Sequence, residues 1–252
     1  MKKIRCLNNN HIKLLASLFM LIDHIGYYLF PSVTILRIIG RLAFPIFAFM
    51  IAEGAKYTKN RVKYISLIAG IGVGCQIVPF ILIKSLQFNV LITFAIAIAI
   101  IYALDYFKVT LFDKSKGIGL KIGTGFLFLA SVIIAYLLPR IGIGYEYGFF
   151  GCMMVVFASA PSLEKTDAPE WLKKLDTLPV KVLCMAIPLV LYCILNGWWV
   201  QYFAILALPI LLLYSGKKGE KNLKYFFYIF YPAHILFLQL LYMLLYYIAQ
   251  HV

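Results

Sequence analysis

Apolar residues run through this chain in long stretches, separated by short polar segments that are mostly basic. A helix needs about 20 predominantly apolar residues to cross a hydrocarbon core about 30 Å thick. Nine stretches are candidates: 12–30, 33–53, 64–84, 88–107, 121–139, 145–161, 180–196, 198–214 and 225–249. The fourth is the clearest, with no charged residue from Leu91 to Leu104. The sixth is short. The seventh and eighth meet at Asn196-Gly197, where a tight helical hairpin would form. The longest polar connection is 162–179, bearing Pro169 and Pro179. The pattern predicts an all-α, polytopic transmembrane helical bundle of about nine spans, a single domain over residues 1–252. The first stretch does not read as a cleaved signal peptide, because it lacks a small-x-small exit site and carries Asp23 and His24.

Composition agrees with that pattern. Hydrophobic residues make up 63% and charged residues 13%, against about 45–50% and about 25% in soluble domains. Such a chain cannot cover its apolar side chains with polar surface, so water is the wrong solvent for it, and disorder is excluded for the same reason. The five cysteines are scattered and have no C-x-x-C spacing. That excludes a disulfide scaffold and a cysteine zinc site, and no metal is expected.

The net charge of +14 would point to nucleic acid in a soluble protein. Here it reports topology, because Lys and Arg gather in cytoplasmic loops. With nine spans, Lys2, Lys3, Arg5, Lys13, the group 56–63, the group 108–121, the group 165–181 and the group 217–224 fall on one side. They are twenty of the twenty-four basic residues. The other side holds Lys84 and Arg140, while Arg37 and Arg41 lie inside the second span. The split predicts a multi-pass protein of the cytoplasmic membrane, N-terminus in and C-terminus out. The lipid bilayer is its first partner, with anionic lipid attracted by the basic loops, and no nucleic acid is expected.

Ionisable residues inside spans are expensive and mark function by default. They are Asp23 and His24 in span one, Arg37 and Arg41 in span two, and His234 in span nine. Glu53, Asp105 and Glu146 sit near span ends, where they would reach the interface. At about 1.5 Å per residue, Asp23 and His24 lie about 9–11 Å below the outer end of span one. Arg41 lies about 12 Å below the outer end of span two by the same rise. Asp23 and Arg41 therefore match in height on consecutive antiparallel helices and are expected to pair. Arg37 and Arg41, four apart, share a face. Asp23 and His24 point about 100° apart, since a turn holds about 3.6 residues, so Asp23 would not orient His24 directly. His234 follows Pro232, which would kink the last span. It lies about 14 Å from the cytoplasmic end by the same rise, and the two histidines would line one cavity.

The segment Gly54–Tyr64 carries Lys56, Lys59, Arg61 and Lys63 with Thr58, Asn60 and two tyrosines. Interleaved donors of several kinds suit phosphate binding as well as a cytoplasmic anchor.

Several of these residues stand in a known pattern. Met20-x-x-Asp23-His24-Ile25-Gly26, Gly40-Arg41-Leu42-Ala43-Phe44-Pro45-Ile46-Phe47, Ala52-Glu53-Gly54 and Thr58-x-Asn60-Arg61-x-Lys63-Tyr64 resemble the signature of the TraX family. Phe227-Tyr228-x-Phe230-Tyr231-Pro232-x-His234 resembles its C-terminal block. TraX-type proteins are integral membrane proteins linked to N-acetylation of conjugative pilin. They are similar to a wider superfamily of multi-span acyltransferases that modify envelope polymers, many with a basic residue ahead of a span-one histidine. Lys13-x10-His24 matches that spacing with Lys in place of the usual Arg.

The resemblance implies an acetyltransferase that takes acetyl-CoA from the cytoplasm and acylates an amine or hydroxyl of an envelope or exported acceptor. His24 would be the general base, and Arg41 or a backbone N–H would steady the oxyanion. His234 would act as a second acid, base or positioning group, beside the Asp23–Arg41 pair. Lys13, Lys56, Lys59, Asn60, Arg61 and Lys63 would hold the CoA phosphates. The competing reading is a proton-coupled transporter using the intramembrane Asp, His and Arg. An odd span number and no visible repeat do not fit its usual inverted halves.

Overall fold

The computed structural model describes residues 5–83, 87–221 and 223–251. Lys2, Lys3 and Lys84, which entered the charge count, and the end of the third stretch lie outside the described residues. Among the described residues the fold is helical, with two isolated β-bridges, Leu7 to Tyr214 and Phe88 to Tyr145. The α-helices are α1 (Asn9–Tyr28), α2 (Thr34–Gly40), α3 (Ala43–Tyr57), α4 (Arg61–Ile83), α5 (Val90–Phe112) and α6 (Ile118–Leu137). They continue with α7 (Gly148–Ser159), α8 (Glu170–Lys173), α9 (Leu178–Asn196), α10 (Ala207–Leu212) and α11 (Lys224–His251). Short 3-10 turns cover Leu138–Ile141 and Trp199–Leu206.

Five helical segments among the described residues are long and apolar enough to cross a membrane: Thr34–Tyr57, Val90–Phe112, Ile118–Ile141, Leu178–Asn196 and Tyr225–His251. Two more, Gly148–Ser159 and Trp199–Leu212, are apolar but shorter. At about 1.5 Å per residue, α7 reaches only about 18 Å. Large apolar side chains such as Ile122, Phe126 and Ile133 of α6 and Phe237 and Leu240 of α11 are exposed. On each of these helices such exposed apolar side chains suit lipid and not water.

The second stretch was expected to be one helix. The chain instead breaks at Arg41-Leu42, between α2 and α3. Pro45 has no N–H to donate to the carbonyl of Arg41, and it is tolerated because it falls in the first turn of a new helix. At the other end, Pro232 lies inside the continuous α11.

The chain forms two compact units, Met1–Phe47 with Cys193–Val252, and Ala48–Tyr192. In the first unit, α1 packs on α2 and α11, and α2 packs on the Trp199–Leu206 turn. Asn8 caps α1 by accepting the N–H of His11 at 2.9 Å. Two motif glycines set how closely α1 and α2 approach. A Cβ on Gly26 would lie 2.7 Å from Leu36 Cβ, and one on Gly40 would overlap the Asp23 side chain.

In the second unit α5 is the central helix, packed by α4, α6 and α7. Phe94, Ala97, Ile98 and Ile101 are buried on it at helical spacing. Asn89 caps it by accepting the N–H of Leu91 at 3.0 Å. The third motif glycine, Gly54, lies under the Tyr64 hydroxyl, which a Cβ would strike.

Candidate functional site

In the first unit, α1 presents Asp23 and His24 to different neighbours, as their adjacent places on a helix require. The Asp23 carboxylate meets Arg41 Nη2 at 2.5 Å and Arg37 Nη1 at 2.8 Å. Arg37 Nη1 also donates to the Asp23 carbonyl at 2.9 Å. The height match between Asp23 and Arg41 is thus realised as an ion pair. Arg37 joins it because it lies one turn before Arg41 on the same face. The guanidiniums lie over aromatic rings, Arg37 5.2 Å from Tyr27 and Arg41 5.3 Å from Trp198. Such stacking favours a desolvated cation. Lys13, earlier on α1, lies 5.7 Å from the Phe227 ring.

His24 meets His234 of α11. His234 Nε2 lies 3.1 Å from His24 Nδ1, and the ring centroids are 4.9 Å apart. The same His24 Nδ1 is 2.9 Å from the Met20 carbonyl oxygen, and His234 Nδ1 is 2.7 Å from the Phe230 carbonyl oxygen. Carbonyl oxygens only accept, so in a neutral pair each Nδ1 carries its ring's proton. His234 Nε2 then holds a lone pair and accepts from His24 Nδ1–H. His24 Nε2 also holds a lone pair, and no described residue is bonded to it. Phe230 stacks on His234 at 4.8 Å and fixes its ring. The result is an imidazole oriented by a second imidazole, with a basic nitrogen left for a third group.

The second unit holds the other candidates, and here the sequence reading needs correction. Gly54–Tyr64 is not an irregular donor loop. Gly54–Tyr57 completes α3, Arg61–Tyr64 begins α4, and only Thr58–Asn60 connects them. Asn60 Oδ1 accepts the N–H of Lys63 at 2.8 Å, so its side chain caps α4. Lys56 Nζ is paired with Asp176 at 2.9 Å and Glu164 at 3.1 Å. Arg61 is paired with Asp105 at 2.7 Å and stacks on Tyr102 at 4.8 Å. Lys59 and Lys63 are exposed. Lys13 belongs to the first unit, so the six proposed phosphate ligands do not all share one unit.

Glu53, expected at the interface, is 8% exposed and bonded to Lys181 at 2.6 Å, and Lys181 also meets Asp176 at 3.2 Å. Lys108 was placed just beyond the fourth stretch and Lys181 at the start of the seventh, and both lie on helices and are buried. The fourth stretch was ended just before Lys108, whereas α5 runs on to Phe112. Among the described residues no three His, Cys, Asp or Glu side chains are grouped to hold a metal ion.

The TraX protein family model matches residues 8–242. The chain belongs to the TraX family. A relative in Rickettsia prowazekii, an uncharacterized protein, is 34% identical over 157 residues, which cover 62% of this chain and 56% of that one. The match thus spans about half the length of the curated relative. No solved structure matches this chain. The family motifs take on physical meaning in this fold: Gly26 and Gly40 let α1 and α2 meet, Asp23 and Arg41 join them, and Glu53 closes on Lys181.

Proposed function

We propose that this TraX-family protein is a multi-pass acetyltransferase of the cytoplasmic membrane. It would move an acetyl group from cytoplasmic acetyl-CoA to an amine or hydroxyl of an envelope or exported acceptor. The observation that carries the reading is the His24–His234 contact, which leaves the lone pair of His24 Nε2 available. His24 Nε2 takes the acceptor's proton as its nitrogen or oxygen attacks the thioester carbonyl, a step worth about 10²–10⁴ in rate. The new C–N or C–O bond forms, the C–S bond breaks, and the proton passes from His24 to the departing thiolate. His234 accepts the other N–H of His24 throughout and stabilises the transient imidazolium. The positive Arg37–Arg41–Asp23 group biases its surroundings toward the oxyanion.

The basic residues support nine crossings with the N-terminus inside and the C-terminus outside. Reporter fusions at residues 112, 142, 168 and 218 test this. Fusion 142 should read outside and the others inside, and a cytoplasmic signal at 142 would overturn the topology. The activity is tested by mass spectrometry of envelope polymers and exported peptides from cells with and without the protein. One class of molecule should lose an acetyl increment. A proton-coupled transporter would use the same intramembrane groups as a relay. It would leave every acetylation unchanged and would not be stabilised against heat by acetyl-CoA.

A further inference from the structure

The second unit contains a cavity of about 80 Å³ lined by Lys56, Arg61, Asp105, Lys108, Ser162 and Lys165, among others. That volume has room for several waters or one tetrahedral oxyanion. Its lining has four cations, Lys56, Arg61, Lys108 and Lys165, and two carboxylates, Asp105 and Glu164. Two of the cations are neutralised by carboxylates, Lys56 by Asp176 and Glu164 and Arg61 by Asp105. The other two meet backbone carbonyls. Lys108 Nζ donates to Ser159 O at 3.2 Å and Ser162 O at 3.4 Å, and Lys165 Nζ donates to Lys56 O at 3.0 Å.

Lys108 is 7% exposed. Its ammonium is hydrogen-bonded to carbonyls and makes no salt bridge among the described residues, with Asp105 and Asp176 acting on it from farther off, and a buried cation so held is favoured by an added anion. Ser162 Oγ is buried in the same wall and makes no hydrogen bond among the described residues. Behind the cavity, Lys181 sits between Asp176 and Glu53. With that row included, five cations face four carboxylates. Glu164 is the carboxylate most open to solvent in the group.

We infer that this cavity is a phosphate-binding site, with Lys108, Lys165 and Ser162 as its principal donors. A phosphate group brings about two negative charges and three acceptor oxygens. Two ammonium groups that meet only carbonyls and one unused hydroxyl supply three donors for those oxygens, in a group that carries a surplus of positive charge. Lysine serves such a site as a point charge. The phosphate is either a nucleotide-type group such as those of CoA or the headgroup of an anionic lipid. Only the first of these rests on the acetyl-CoA reading.

The test uses the full chain in phosphatidylcholine nanodiscs, with inorganic pyrophosphate as the probe and thermal stabilisation as the readout. Pyrophosphate should raise the melting temperature saturably. Lys108→Gln and Lys165→Gln should each weaken its apparent affinity at least about tenfold, the worth of one charge-assisted hydrogen bond. Lys114→Gln, on an exposed connection outside the cavity, should not. Should Lys108→Gln fail to fold, the exposed Lys165 decides the matter. Competition by CoA assigns the site to a nucleotide-type phosphate, and competition by glycerol 1-phosphate assigns it to a lipid headgroup. No saturable stabilisation of the wild type, or an equal loss in Lys114→Gln, overturns the inference. Pyrophosphate binding without acetyl transfer would sink the enzyme reading alone, and transfer without pyrophosphate binding would sink the cavity alone.

Discussion

The two units both bury charge, and they do so in different ways. In the first, a single carboxylate, Asp23, is gripped by two arginines whose faces lie on Tyr27 and Trp198. The histidine pair lies beside this group but makes no hydrogen bond to it among the described residues. In the second, lysines and carboxylates are gathered around a cavity, and Lys108 and Lys165 meet carbonyls where the other cations meet carboxylates. Guanidinium forks lock a geometry, while ammonium groups are flexible point charges. In the proposed reading the first arrangement sets a proton-handling pair beside a fixed electrostatic brace, and the second holds positive charge for an anion.

This contrast can be broken from either side. Asp23→Ala should have the largest effect on folding, because it removes the carboxylate that Arg41 and Arg37 share. Loss of one member of a buried pair costs roughly 3–5 kcal/mol, visible as a lower melting temperature. Asp23→Ala with Arg41→Ala should recover only part of that, since Arg37 still lacks its carboxylate. Full recovery would mean that Arg37 is incidental.

His234→Leu should leave the fold intact and lower acetyl transfer on the order of 10²-fold, the effect of misplacing a reacting group. His234→Gln, which can offer an oxygen to His24 Nδ1–H, should retain more activity than Leu. Equal losses would argue against a positioning role. Gly40→Ala forces a methyl group into Asp23. It should cost about 1–3 kcal/mol, the usual range for overpacking, read by thermal melting. The smallest effect is expected at Lys59, which is exposed and outside the cavity lining. Lys59→Gln should leave the response to acetyl-CoA unchanged, and a marked weakening would restore the α3–α4 connection to phosphate binding.

Much of the first unit was legible in the sequence. Helical rise alone placed Asp23 opposite Arg41, and the i, i+4 spacing already put Arg37 on the same face. The break at Arg41-Leu42 was also readable, since Pro45 cannot serve Arg41 O. Their depths brought His24 and His234 toward one cavity, but the direct bond between them was not legible, because no local periodicity pairs residues 210 positions apart. In the second unit Lys56 and Lys108 were read as connection charges because each follows the apolar stretch before it, and Lys181, at the start of the seventh stretch, was counted with them as a charge of the cytoplasmic side. A lysine's long aliphatic stem instead lets it stay on the helix and bury its length while the ammonium finds a partner. Asp176, from the stretch read as featureless connection, is one such partner for Lys56 and Lys181. Sequence spacing carries no sign of it.

The central claim is that His24 supplies the base and the buried charges around it do not. The direct test compares acetyl groups on envelope and exported molecules from cells making wild-type protein or His24→Ala. Membrane levels and melting temperature are confirmed to match. A neutral imidazole leaves no stranded charge when removed, so the variant should fold normally while acetylation falls by about 10²–10⁴. Acetylation at near wild-type level by folded His24→Ala protein would contradict the account.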